Sequence, residues 1–216
     1  MKAELLKNNG YSGSDELVCD VARVSYGKEA SNYTEEQNTK LIKYLVKHGH
    51  TSPFRHILLR FRIKCPIYVE RQVHKHQIGI SVNSISGRYV DFSDSYYSIE
   101  QFRKQSESSK QGSGEDLSEL DNAFALDIQD NVINYCKRAY NDLLMLGVSK
   151  EQARSVLPLS LETEFIWTGS FLAFVHLCNL RLKEDTQKET RMLVQEMLNQ
   201  VKELGVFKET IKAFGI

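Results

Sequence analysis

The run from Leu58 to Cys65, LLRFRIKC, alternates apolar Leu59, Phe61, Ile63 and Cys65 with Arg60, Arg62 and Lys64, then meets Pro66 without an intervening turn. A period of two puts one face of a strand in a core and leaves a basic face outside it. Pro66 suits a first helical position, where its missing N–H is not needed, so the strand is predicted to pass directly into a helix that Pro66 opens. Helical spacing then places Arg71, Gln72, Lys75 and His76 close together near the helix C-terminus, ahead of a loop rich in Ser, Asn and Gly that runs to Tyr89. Arg and Lys neutralise an anion, while Gln, Asn, Ser and loop N–H groups read ring edges, so this density of donors suits a phosphate or a planar heterocycle. It equally suits a solvated basic helix end that complements the helix dipole.

Around this stretch the chain reads as mostly helical. Ser14 to Arg23 carries Leu17, Val18 and Ala22 at helical spacing, and residues 26–33 form a polar loop. Thr34 and Gln37 fit a capping box for a helix with a stripe of Leu41, Ile42 and Leu45, ended by Gly49. An aromatic segment with Phe92, Tyr96 and Tyr97 leads into QSESSKQGSGED, and residues 104–118 have the composition of a mobile surface loop. Helical periodicity resumes at Leu120, Phe124, Ile128, Val132 and Tyr135 and ends at Gly147. Ser149 and Gln152 open a short helix with Arg154, stopped by Pro158. Leu159 to Thr168 alternates as a second strand. Ser170 caps an apolar helix that contains His176 and ends near Arg181, and Asp185 to Phe214 reads as one or two amphipathic helices.

The totals exclude several classes. Lys+Arg and Asp+Glu both number 28, so there is no global basic field for nucleic acid and any anion site is local. The 216 residues, 41% of them hydrophobic, suffice for one core. Cys19, Cys65, Cys136 and Cys178 are scattered without a CxxC pair, which predicts reduced thiols in a cytoplasmic protein. The N-terminus lacks the apolar run of a signal peptide, and no stretch reaches the ~20 apolar residues of a membrane span. The pairs His48-x-His50 and His74-x-His76 do not share a helical face and have no carboxylate or Cys cluster beside them, so no metal is expected. There is no P-loop, GxGxxG or GxSxG element. Arg181, at the end of an apolar helix, either complements the helix dipole or is held to meet an anion or an enolate-like oxygen.

Six separated segments, HGHTSPFRH, RFRIKCPIYVERQ, SVNSISGRY, FRKQSESSKQGS, EQARSVLPL and FIWTGSFLAFVHLCNLR, together resemble the flavin-dependent thymidylate synthases, in order, from about Asp20 to about Arg191. The resemblance implies a single α+β domain over 1–216, with a central, mainly antiparallel sheet flanked by long helices. It implies reductive methylation of dUMP to dTMP, with methylenetetrahydrofolate as carbon donor, FAD as hydride carrier and NADPH as reductant, in a homotetramer with shared active sites. By position, Gln72, Lys75, Ser84, Ile85, Ser86, Gly87, Arg88, Arg154 and Arg181 would bind dUMP. Arg88 and Arg154 would take the phosphate, Ser86 would position substrate, and Arg181 would be catalytic by polarising the uracil. His50, Ser52, Lys75, His76, Gln77, Ser170 and His176 would contact FAD. Neither nucleic acid nor a membrane is an expected partner.

The chain also departs from the family. Lys75-His76-Gln77 stands where the family has Arg-His-Arg, one extra residue lies around Ile78-Gly79-Ile80, Ser84 replaces a Glu, and Leu172 replaces an Arg. Loss of flavin-side cations predicts weaker FAD binding, at about 1.5–3 kcal/mol per charged hydrogen bond. Two alternatives follow: a related pyrimidine-nucleotide enzyme, for example a hydroxymethylase, or a catalytically inactive dUMP-binding protein. Glu70 and Asp91 are the carboxylates that could compensate for Ser84.

Overall fold

The computed structural model describes residues 1–91, 94–107 and 112–216. Its centre is a five-stranded sheet built on two nine-residue strands, β3 (Leu58–Pro66) and β7 (Glu162–Ser170). They pair antiparallel over their full length, from Leu58 opposite Ser170 to Pro66 opposite Glu162. Leu59, Phe61, Ile63 and Cys65 are all fully buried, as the alternation requires, and Trp167 packs on Phe61 and Phe174. On the outer face Arg62 pairs with Glu164 and Lys64 with Glu162, so the strand's basic face is partly neutralised by its neighbour. β1 (Lys2–Leu5) and β2 (Tyr11–Ser12) both pair with β3, and β4 (Ile80–Ser84) pairs with the other edge of β7.

Among the described residues, eight α-helices surround the sheet: α1 (Asp15–Arg23), α2 (Glu35–Lys47), α3 (Ile67–Val73), α4 (Glu119–Met145), α5 (Lys150–Ala153), α6 (Phe171–Arg181), α7 (Lys188–Glu203) and α8 (Lys208–Phe214). Both halves of the Thr34/Gln37 capping box form, and Gly49, just past α2, takes φ +69°. The helix α6 is apolar nearly all round and lies buried against the sheet, with α7 packed on it and on β1.

Several expectations are corrected. Pro66 is the cap rather than the first helical residue. It still pairs with Glu162, at ψ 151°, and Ile67 N–H donates to Leu161 O at 3.0 Å. Part of the Ser/Asn/Gly-rich loop after Gly79 is the strand β4, whose Ile80 and Val82 pack against the core at alternate positions. The expected loop of 104–118 overlaps the paired strands β5 (Arg103–Gln105) and β6 (Ser113–Asp116), with 108–111, like Phe92, outside the described residues. The polar loop of 26–33 contains short 3-10 turns, whereas Asp185 to Phe214 forms two helices, one of the two alternatives expected.

Candidate active site

Arg181 is the last residue of α6, and its guanidinium reaches back to the end of α3. Its Nη2 donates to the Gln72 carbonyl at 2.8 Å and its Nε donates to His76 Nε2 at 3.1 Å. The last carbonyls of a helix lack intrahelical partners, so Gln72 O is a natural acceptor. The second bond requires His76 to be neutral, with its proton on Nδ1. Consistent with that, burial first, and then the neighbouring Arg181 and His176, hold His76 below its ordinary proton affinity. Burial also lowers the pKa of Arg181 from the usual guanidinium range. Two fixed bonds therefore orient a partly desolvated cation whose remaining N–H groups are not used by these contacts.

The turn after α3 forms the wall of a cleft of about 320 Å³ beside this pair, lined by Lys75, His76, Gln77, Ile78, Ile80, Ala173 and His176. Besides the His76–Arg181 bond, the turn is fastened to the start of α6 at Gly79. Gly79, at φ +73°, accepts a hydrogen bond from Ser170 N–H at 2.9 Å, and a Cβ there would lie 3.0 Å from Ser170 Oγ. Ser170 is itself the cap of α6, its Oγ accepting from Ala173 N–H at 3.2 Å. One apolar wall, one cation and amide and imidazole edges suit a ring system with an attached anion. Leu172, by contrast, is buried in the core, so the cation expected by resemblance is replaced by a packing residue.

Gln72 is placed here, but its side-chain amide is engaged internally. Its Oε1 accepts from the Thr190 hydroxyl at 3.0 Å, and its Nε2 donates to Gln187 Oε1. Beside them Glu189 is buried in an ion pair with Arg103 at 2.8 Å. Burial works against the charged Glu189, but the Arg103 hydrogen bond and charge, with other hydrogen bonds, leave its pKa below the usual carboxylate value. Thr190, Gln187 and Glu189 were not legible in the sequence. Thr190 lies 118 residues from its partner, and no local pattern marks it.

The other residues that the resemblance assigns to the nucleotide lie on β4, on the loop after it and at the end of α5. Ser84 ends β4, and its hydroxyl lies 3.4 Å from Glu70 Oε1, so one of the two carboxylates considered does sit beside it. Ile85 N–H donates to Glu164 O at 2.8 Å. Ser86 O accepts from both Tyr89 and Val90 N–H at 3.0 Å, making a tight turn around the buried Gly87. Arg88 is exposed, with its guanidinium 3.4 Å from Ser86 Oγ and 5.0 Å from the Tyr89 ring centroid. Arg154, also exposed, donates to Glu151 O at 3.3 Å. His50 and Ser52 line a separate cleft of about 600 Å³ with Ala22, Leu45 and Arg55, which shares no lining residue with the Lys75 cleft.

Three of the four thiols are poor nucleophiles. Burial pushes Cys19 up to about 11 and Cys65 and Cys178 up to about 12. No helix among the described residues is long and apolar enough to cross a membrane.

Comparison with known proteins gives the chain its family. The family described as "Thymidylate synthase complementing protein" matches residues 4–204. The flavin-dependent thymidylate synthase of Kosmotoga olearia is 41% identical over 82% of this chain and 76% of its own. That of Thermus thermophilus is 40% identical over 88% of this chain and 68% of its own. Among solved structures, a UMP/dUMP methylase, PolB, from Streptomyces cacaoi, bound with 5-Br dUMP, superposes with a TM-score of 0.85 at 26% identity, covering 99% of this chain and 94% of that one. A fold held in common over nearly the full length, together with sequence identity near 40% to several synthases, leaves one assignment: the chain belongs to the flavin-dependent thymidylate synthase family.

Proposed function

We propose that the protein methylates dUMP to dTMP, taking its carbon from methylenetetrahydrofolate and its reducing equivalents from NADPH through FAD. The observation that carries this reading is Arg181, a guanidinium fixed by Gln72 O and His76 Nε2 at the edge of a cleft, in a chain about 40% identical to synthases of this type. Its role would be to stabilise negative charge developing on a uracil oxygen, an electrostatic task suited to a preorganised, partly dry cation. The raised thiols of Cys19, Cys65 and Cys178 favour such activation over attack by a cysteine.

The residues around the 320 Å³ cleft fit a flavin: Ile78, Ile80 and Ala173 offer an apolar wall, Gln77 and His176 offer ring-edge hydrogen bonds, and Lys75 offers a cation. When bound, the reduced flavin supplies the hydride that completes the methyl group. Lys75, His76, Gln77 and His176 would hold it, and Ser170 would keep the cleft's floor in place by capping α6. The cleft is near the lower limit for a ligand pocket and takes only part of a dinucleotide. His50 and Ser52, on the other cleft, would serve the rest from a second copy.

Assembly into a homotetramer is supported by α4. This helix of 27 residues spans about 40 Å, and Leu120, Phe124, Ile128, Val132 and Tyr135 along it are 50–68% exposed in the protomer. Arg88 and Arg154 would meet on the substrate phosphate. Four unpaired thiols, three of them buried, suit a cytoplasmic setting.

Tritium release from dUMP labelled at carbon 5 tests this reading, with FAD, NADPH and methylenetetrahydrofolate each omitted in turn. Release that needs all three supports it. Binding of dUMP without release would instead make the protein a nucleotide binder, and the mass of any product separates methylation from hydroxymethylation.

A further inference from the structure

We infer that Thr190 and Gln187, at the start of α7, are positioning residues for Arg181 and act on it through Gln72. The inference rests on the reading of Arg181 as the group that meets the uracil.

The geometry runs as a chain of single, directional contacts. Arg181 takes its orientation from two acceptors, Gln72 O and His76 Nε2, both carried by the C-terminal end of α3 and the turn after it. That end belongs to a helix of only seven residues, and one flexible side chain, Gln72, points from it to α7. A glutamine amide has distinct donor and acceptor ends, and here each is met by the matching group: the Thr190 hydroxyl gives its proton to Oε1, and Gln187 Oε1 receives one from Nε2. Thr190 is fully buried, so its hydroxyl has no water to turn to, and a helical Thr would otherwise bond back to its own helix. The α7 turn is in turn anchored to β5 by the buried Arg103–Glu189 pair. Without the Thr190 and Gln187 anchors the end of α3 is free to shift relative to α7, and the Gln72 carbonyl, one of the two supports of Arg181, would shift with it.

Placement of this kind acts on turnover more than on substrate capture, because a cation shifted by about 1 Å loses much of its effect on a developing charge. Thr190→Val removes the donor at nearly constant volume, while Thr190→Ser keeps it. The expected result for Thr190→Val is a fall in kcat of about tenfold with KM for dUMP changed less than about twofold, and for Thr190→Ser values within about twofold of the parent on both. Backbone hydrogen exchange by mass spectrometry gives a readout free of turnover: peptides spanning 72–79 should exchange several-fold faster in Thr190→Val alone. Unchanged kcat and unchanged exchange in Thr190→Val would overturn the inference, as would an equal loss in Thr190→Ser. If the parent protein released no tritium, the functional reading would fail, while the exchange data would still decide whether Thr190 fixes the end of α3.

Discussion

The end of α3 and the loop after β4 lie in one stretch of sequence and are built on opposite plans. Around Gln72, His76 and Arg181 the half-buried polar groups meet one another across three elements: cation to carbonyl, cation to imidazole, amide to hydroxyl, amide to amide. Around Ser84 to Arg88 the backbone is a tight turn, but the Arg88 guanidinium lies exposed, as does that of Arg154. The first region is assembled before any ligand arrives, whereas the second holds its charges in water. On the roles proposed above, preorganisation falls where charge develops during the reaction, and exposed arginines fall where a phosphate has only to be captured.

The contrast can be broken by mutation. Arg181→Ala should lower kcat by about 10²–10³-fold while circular dichroism stays unchanged, which is the loss expected for one donor to a developing oxyanion. Near-normal turnover would take Arg181 out of the chemistry. Glu189→Ala leaves Arg103 without its partner, since the pair is 4% and 15% exposed at the side chains, and should destabilise the fold by about 3 kcal/mol in urea titrations. Arg88→Ala should behave in the opposite manner, with no measurable loss of stability but an increase in KM for dUMP corresponding to about 1.5–3 kcal/mol. A destabilised Arg88→Ala would mean that the loop, too, is held together by its arginine. Ser170→Ala removes the cap of α6 and should cost about 1 kcal/mol of stability.

The smallest expected effect is a pH dependence. His76 binds a proton less readily in the folded chain than its ordinary value of 6.5, so the unfolded chain takes up the proton first as pH falls. The stability linked to neutral His76 is therefore complete above that value and declines as pH drops through it. Turnover should fall at still lower pH, where a protonated His76 can no longer accept from Arg181. In His76→Gln, whose amide oxygen can accept without titrating, the acid loss of stability should shrink, and a loss equal to the parent's would assign the titration elsewhere.

Much of this architecture is legible in the sequence because it is encoded locally. The alternation of LLRFRIKC, the Thr34/Gln37 box and the Ser170 cap each state a physical requirement within a few residues, and each forms as read. The strand β4 is hidden because Ile80 and Val82 sit among Gly, Ser and Asn, which favour turns. Only its pairing with β7 overrides that preference. Pro66 falls just outside the helix it was expected to open because its strand pairing persists to the helix boundary. The Gln72–Thr190 contact and the Arg103–Glu189 pair join residues 118 and 86 positions apart, and nothing local in either partner announces the other.

The exposed apolar side of α4 carries a consequence in terms of mass action. If that side is covered by further copies, and if the Lys75 and His50 clefts complete each other across copies, the competent site exists only in the assembled form. Specific activity would then vary with protein concentration, constant while α4 is covered and falling steeply once dilution passes the dissociation constant of the assembly. An enzyme of this construction has two saturation curves, one in its substrates and one in itself.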